Sequence, residues 1–439
     1  MQGDRMDTSN RMASGPSYTP VPAIGISNTR RWVVMWLLFI ASIINYLDRT
    51  TISFALPLIS HDLHLGPESK GVLLSAFFWS YTLMQIPIGL MADRMNLLWI
   101  YAGAFALWSV AQGLTGLAGT LTVLILLRIL LGFGESIYLP GGTKIVSLLF
   151  GRSERGLPSG FFDSGTRFGL VVGGVGIPWL LVRYGWRDAF VMVGILGLIW
   201  LVPWFFAFPA KLAQKADKQT ERSGTQRRLR FRLAHFDRNL LGVCLGFFCF
   251  DYFWYLMLTW LPDYLYEARH LSIIKAGLFS ALPYAVFGVC QPLGGWVSDR
   301  LISHGWDATR TRKSIISFGF MFGLLMIPAA FAQSANVAVA LIVGAGLVGL
   351  STANLLVMVQ LCAPPDEIGV WTGFLNFAGN IGGITAPLIT GFLIAWTGSF
   401  VAGFVLGPVL LVSGLLAYWF VVGKLESPQD SQIAATAES

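Results

Sequence analysis

The chain has 439 residues, of which 55% are Ala, Val, Ile, Leu, Met, Phe, Trp, Tyr or Cys and only 12% are charged. Its mean hydropathy is +0.65, and about a quarter of the residues of a soluble domain are charged, so a soluble globular protein is excluded and the bilayer is the solvent for most of the chain. The net charge of +7 is spread over the segments between apolar stretches rather than gathered on one face, which excludes a nucleic-acid binder.

In chain order, residues 1–31 are polar and contain Pro, Ser and Gly, the composition of a disordered tail. Arg30 and Arg31 precede an apolar run, but no export signal is expected: the run continues through Asn45, Asp48 and Arg49 with no small-residue cleavage site. Apolar windows follow at 32–59, 70–92, 97–117, 122–149, 157–182, 188–208, 240–262, 273–297, 314–333, 336–362, 367–396 and 399–422. Each is long enough to cross a bilayer, which takes roughly 20 residues of helix. The expected fold is therefore all-α and polytopic, with twelve transmembrane helices in two six-helix halves. The halves are residues 32–209 and 239–423, joined by a polar linker over 210–238 and followed by a tail over 424–439.

An even number of crossings puts both termini on one side. The tails and the even-numbered loops hold 21 of the 30 Lys and Arg residues, and the odd-numbered loops and the spans together hold 9. The richer side is cytoplasmic by the positive-inside rule, so both termini and the linker are expected there. Nine of the basic residues fall between Lys211 and Arg238, a run that suits the inner membrane surface. The four cysteines, Cys244, Cys249, Cys290 and Cys362, lie in apolar stretches and suggest no disulfide framework.

The halves repeat. Gly89 with Asp93 and Arg94 recurs 206 positions later as Gly295 with Asp299 and Arg300, and Gly160, Gly169 and Gly185 recur 213 positions later as Gly373, Gly382 and Gly398. Parallel six-helix repeats are the architecture of rocker-switch carriers, with the substrate site at the midplane between them.

These residues also carry a family resemblance. Gly89-Leu90-Met91-Ala92-Asp93-Arg94 resembles the loop signature of the major facilitator superfamily, although Met95-Asn96-Leu97 lacks the basic continuation usual there. Asn45-Tyr46-Leu47-Asp48-Arg49, Arg128 to Glu135 with Pro140 and Lys144, and Tyr252 to Leu265 resemble its anion:cation symporter branch. The resemblance covers residues 32–422. It implies a carrier of organic anions, among them sugar acids and aromatic or other carboxylates.

A charge at the bilayer centre costs about 2.5 to 3.5 kcal/mol on insertion scales, so intramembrane charges face the bundle interior and are functional candidates. Glu135 sits at the centre of the fourth span beside Gly132 and Gly134, where small residues permit close helix approach. A carboxyl group there is poorly hydrated and can exchange a proton as access alternates. Glu135 and Asp48 are the expected proton-coupling pair, a role the resemblance also implies; the alternative is a fixed salt-bridge network. Arg128 lies seven residues, two helical turns, from Glu135 and so can bracket a cavity with it. Arg49 points about 100° away from Asp48 on its helix, and its planar fork suits a substrate carboxylate. Arg49 is the expected anchor and Arg128 the second, the alternative for Arg128 being a helix clamp or outer gate.

Asp163 and Arg167 are an i,i+4 pair and read either as an internal salt bridge or as a second cation for the cavity. The resemblance assigns substrate contact to Thr166 and, at well-matched positions, to Tyr46 and Tyr81. Tyr46, Tyr81, Asn376 and Asn380 supply hydroxyl and amide groups suited to polyol hydroxyls, or, for the amides, to ties between helices. Asp251 is open between a second proton site, a cation ligand and an ion pair across the halves. Asp93, Arg94, Asp299 and Arg300 at helix ends are expected to gate the inner side through charge pairs between the halves.

The expected function is import of an organic anion, such as a hexonate, a hexuronate or another carboxylate, by proton symport through alternating access. Alternatives are an anion exchanger, a sodium-coupled carrier, or a symporter of aromatic acids or dicarboxylates. An enzyme is not expected: there is no HExxH, CxxC, GxSxG or Walker loop, and His61, His64, His235, His270 and His304 fall in loops or tails. No cofactor or metal is expected beyond the coupling ion, and the partners are a small organic anion and the lipid bilayer, with a monomer as the working unit. Short outer loops without an Asn-x-Ser/Thr sequon suit a bacterial inner membrane.

Overall fold

The computed structural model describes residues 26–150, 156–209, 238–363 and 368–424, and the side chains of residues 86, 90, 93, 94, 156, 157 and 368–370 also lie outside the described set. Among the described residues the chain is helical with no strand. In the first half the helices are α1 (Asn28–Leu63), α2 (Pro67–Arg94), α3 (Leu97–Thr115), α4 (Leu121–Glu135), α5 (Tyr138–Leu149) and α6 (Gly156–Ala207). In the second they are α7 (Arg238–Asp263), α8 (Ile273–Ser303), α9 (Ala308–Gly323), α10 (Met326–Phe331), α11 (Ala335–Ala345), α12 (Thr352–Cys362), α13 (Ile368–Thr397) and α14 (Val401–Leu416).

The ends of these helices are set by local chemistry. Ser27, Asn96, Thr120, Ser272 and Asp307 cap α1, α3, α4, α8 and α9, each side chain accepting from a backbone N–H of the first turn. Pro67 opens α2, where a missing N–H costs nothing. α1 starts inside the stretch expected to be tail; the rest of that tail, most of the linker and most of the C-terminal tail lie outside the described residues. None of the four cysteines forms a disulfide.

Ten helical segments among the described residues are long and apolar enough to cross a membrane. The longest, Pro158–Ala207, turns back at Gly185, whose φ of 82° and ψ of 167° no L side chain adopts readily, and is two helices joined at that kink. α2 is not among the ten, yet its 28 residues span roughly 42 Å at 1.5 Å per residue. Large apolar side chains such as Leu83, Trp99, Ile199 and Phe206 are exposed, as hydrocarbon solvent permits and water does not.

The chain ends gather at one face. Arg30 donates to the carbonyl of Ala207, Arg238 to that of Phe420, and the backbone N–H of Gly423 to Asn239 Oδ1. At the opposite face the halves meet closely. There α2 packs on α13, and Gly71 and Gly391 bring the backbones together: a Cβ on Gly71 would lie 2.8 Å from the Pro387 carbonyl oxygen. Two buried clusters follow the same division. Terminus-side parts of the first half, including Met35, Tyr101, Phe162 and Trp204, form one buried cluster that the second half touches only through the partly buried Tyr255 and Ile384, whereas Phe54, Leu73, Ile177 and Phe190 nearer the other face share a core with Trp254, Tyr284 and Trp260 of the second half. The halves are therefore locked at the face away from the termini and separate toward the termini.

Candidate functional site

Between the halves lies a cavity of about 130 Å³. From the first half α1 contributes Tyr46 and Arg49, α2 Tyr81 and Gln85, α5 Tyr138 and Leu139, and α6 Asp163 and Thr166. From the second half α7 contributes Asp251 and Tyr255, and α13 contributes Asn376 and Asn380. Six of the eight residues expected to bind substrate thus line one space: Tyr46, Arg49, Tyr81, Thr166, Asn376 and Asn380. Asp163 is exposed, consistent with an opening on the terminus side.

Arg49 has two faces. Its Nε donates to Glu135 Oε2 at 2.8 Å, a salt bridge whose side chains are 6% and 0% exposed. Its guanidinium carbon also lies 4.5 Å from the ring centre of Tyr81, 4.9 Å from that of Phe77 and 5.2 Å from that of Tyr46, a cage of ring faces that favours a cation. Glu135 reaches this position because α4 closes on α2 at Gly132, where a Cβ would overlap the carbonyl oxygen of Phe77. The acid is therefore bound to a basic neighbour that itself faces the cavity.

Asp48 is 1% exposed, and neither of its carboxylate oxygens has a hydrogen-bond partner. It faces Glu135, Arg128 and Arg49, so the two neighbours on α1 divide as their helical angle predicts, one toward the cavity and one toward α4. Arg128 does not line the main cavity. It is 3% exposed, lies 5.1 Å from the Phe77 ring, leaves Nε and one terminal nitrogen unpaired, and shares with Arg49 the wall of a narrow void of about 10 Å³. The structure thus places Arg49 in the cavity wall and the second guanidinium, Arg128, behind it.

Arg167 also lies outside the cavity wall. No ion pair joins it to Asp163 among the described residues. Its Nε donates to Gln291 Oε1 in the other half at 3.0 Å, and its guanidinium lies over Phe287 and Trp254. Spacing on one helix could not reveal this, because a partner 124 positions away offered a better contact. Asp251 makes no ion pair among the described residues, although Arg167 is near enough to attract it.

At the terminus-side face, Asp299 pairs with Arg312 of its own half at 3.0 Å, and Arg300 is exposed without an ion pair among the described residues. Among the described residues neither pairs across the halves, and the side chains of Asp93 and Arg94, the expected partners, lie outside that set. The charge pair that does join the halves is at the opposite face. Lys70 Nζ lies 3.1 Å from Asp263 Oδ1 and 3.7 Å from Glu267 Oε1, with Lys70 10% and Asp263 0% exposed. Sequence reasoning missed it because Lys70 reads as a loop-end charge. The additional cavity residues Gln85, Tyr138, Leu139, Asp163, Asp251 and Tyr255 were signalled only in part, by their placement on interior-facing spans. Among the described residues no cluster of His, Cys, Asp and Glu could hold a metal.

The Major Facilitator Superfamily model matches residues 38–387. The chain is 31% identical to the probable galactarate/D-glucarate transporter of Bacillus subtilis, over 93% of this chain and 95% of that protein. It is 30% identical to the D-galactonate transporter of Escherichia coli O6:H1, over 90% and 96%, and 30% identical to the probable sulfoacetate transporter of Cupriavidus necator, over 89% and 94%. Among solved structures, a bacterial homolog of the human lysosomal transporter Spinster, inward-facing and occupied, matches with a TM-score of 0.75 at 19% identity, covering 90% of this chain and 97% of that one. The D-xylose-proton symporter matches with a TM-score of 0.67 at 16% identity, covering 90% and 98%.

Proposed function

The chain belongs to the major facilitator superfamily, whose members here are membrane transporters of small organic acids, and from that premise we propose that it imports a sugar acid together with protons. The observation that carries this reading is the Arg49–Glu135 salt bridge, in which the acid is fully buried and the arginine reaches the cavity. A substrate carboxylate and the Glu135 carboxylate compete for one guanidinium. Protonation of Glu135 removes the competitor and frees Arg49 for a bidentate contact with the substrate; loss of the proton returns Arg49 to Glu135 and expels the anion. Asp48, facing the same group with no hydrogen-bond partner, is the second proton carrier.

Twelve crossings complete the reading: ten apolar segments, one more from the division at Gly185, and α2. The Lys and Arg count argues for cytoplasmic termini, and the conformation is then closed outside by Lys70 and Asp263 and open inside. Two protons entering with a monoanion carry a net positive charge, so the membrane potential assists at about 2.3 kcal/mol per 100 mV.

The test is uptake of labelled D-galactonate by the purified protein in liposomes. An inward proton gradient is expected to drive accumulation that a protonophore abolishes. Accumulation driven by sodium without a proton gradient, or exchange only, would overturn the coupling.

A further inference from the structure

The charges lining the cavity do not balance toward an anion. Arg49 is the cavity-lining cation, and two carboxylates, Asp163 and Asp251, line the same space. Among the described residues neither makes an ion pair, and Arg167, which does not line the space, gives its Nε to Gln291 and lies over the rings of Phe287 and Trp254. Asp251 is built into the wall: Gly379 leaves room for its Oδ2, where any Cβ would collide with that oxygen. Beside it Asn380, 7% exposed, spends its amide N–H on the Asn376 carbonyl at 2.8 Å and leaves Oδ1 buried without a partner. Away from Arg49 the wall therefore offers acceptors, and two of them belong to carboxyl groups.

Such a wall rewards a ligand with one carboxylate for Arg49 and hydrogen-bond donors along the rest of its length. A second carboxylate would meet these two carboxyl groups with no lining cation to receive it, and rejection is as effective a source of specificity as attraction. We infer that the site selects a polyhydroxy monocarboxylate and excludes the dicarboxylate of the same carbon skeleton, with Asp163 and Asp251 as the specificity residues. This rests on the sugar-acid reading above and divides its class in two.

Galactonate and galactarate form the test pair, since they differ at one terminal carbon, hydroxymethyl in the first and carboxylate in the second. Titration calorimetry on the purified full-length protein at pH 7 is expected to give a Kd for D-galactonate at least tenfold lower than for galactarate. Asp251→Asn and Asp163→Asn are each expected to move that ratio toward one by tightening galactarate binding tenfold or more. Asp251→Glu, which keeps the charge, retains the preference and separates charge from packing. Galactarate bound as tightly as galactonate by the unaltered protein, or a ratio unmoved in both Asn variants, overturns the inference while the sugar-acid reading stands. Binding of neither compound overturns both.

Discussion

Replacing Lys70 by Met is expected to open the face that is closed here. In the closed state Lys70 neutralises Asp263, whose side chain is 0% exposed, and holds both of its oxygens at 3.1 and 3.2 Å. Removing one partner of a buried pair costs about 3 to 5 kcal/mol because the other charge is left uncompensated. When the halves part at that face Asp263 meets water, so the cost falls on the closed state alone. At the low end, about 3 kcal/mol multiplies the open-to-closed ratio by roughly 160, enough to raise an open state from about one in a hundred molecules to more than half. Thr259, 5% exposed and one turn below Asp263 on α7, reports the change. With the four native cysteines replaced by Ser, a Thr259→Cys probe should react with a membrane-impermeant maleimide, added at the face away from the termini, at least tenfold faster when Lys70→Met is present. The exchange Lys70→Asp with Asp263→Lys should restore slow labelling. Labelling unchanged by Lys70→Met in a protein of unaltered melting temperature would refute the reasoning.

Other outcomes follow from the same geometry. Arg49→Lys keeps a charge but loses the planar fork and its stacking on Tyr81 and Phe77, and D-galactonate binding by calorimetry should weaken at least tenfold. Arg167→Ala removes a contact between halves and not a ligand for substrate, so KM for uptake should change less than threefold while the melting temperature falls. Gly71→Leu drives a side chain into the Pro387 carbonyl and should block closure of that face, so that labelling of the Thr259→Cys probe rises and net uptake is lost.

The all-helical membrane fold and many of the residues that line the cavity were legible in the sequence because burial in lipid imposes length and polarity rules that local composition obeys. Arg49 was legible for the same reason: a guanidinium mid-span must face the interior. Its pairing with Glu135 was not, since residues 86 positions apart meet only through the packing of α1, α2 and α4. The internal Asp163–Arg167 bridge, one of the two readings of that spacing, is not formed, since Arg167 gives its Nε to a long-range partner, Gln291. Lys70 and Asp263, 193 positions apart, are ordinary helix-end charges until the halves are brought together. Partner choice across the halves is a property of the assembled bundle, so the sequence offered the charged residues without their pairings.

The competition between substrate and Glu135 for Arg49 is tested most directly by Glu135→Gln in liposomes, comparing concentrative uptake of D-galactonate under a proton gradient with counterflow at equal pH. The variant is expected to lose gradient-driven accumulation and to keep counterflow, because the amide no longer exchanges a proton while Arg49 remains free to bind the anion. Full gradient-driven accumulation in Glu135→Gln would contradict it.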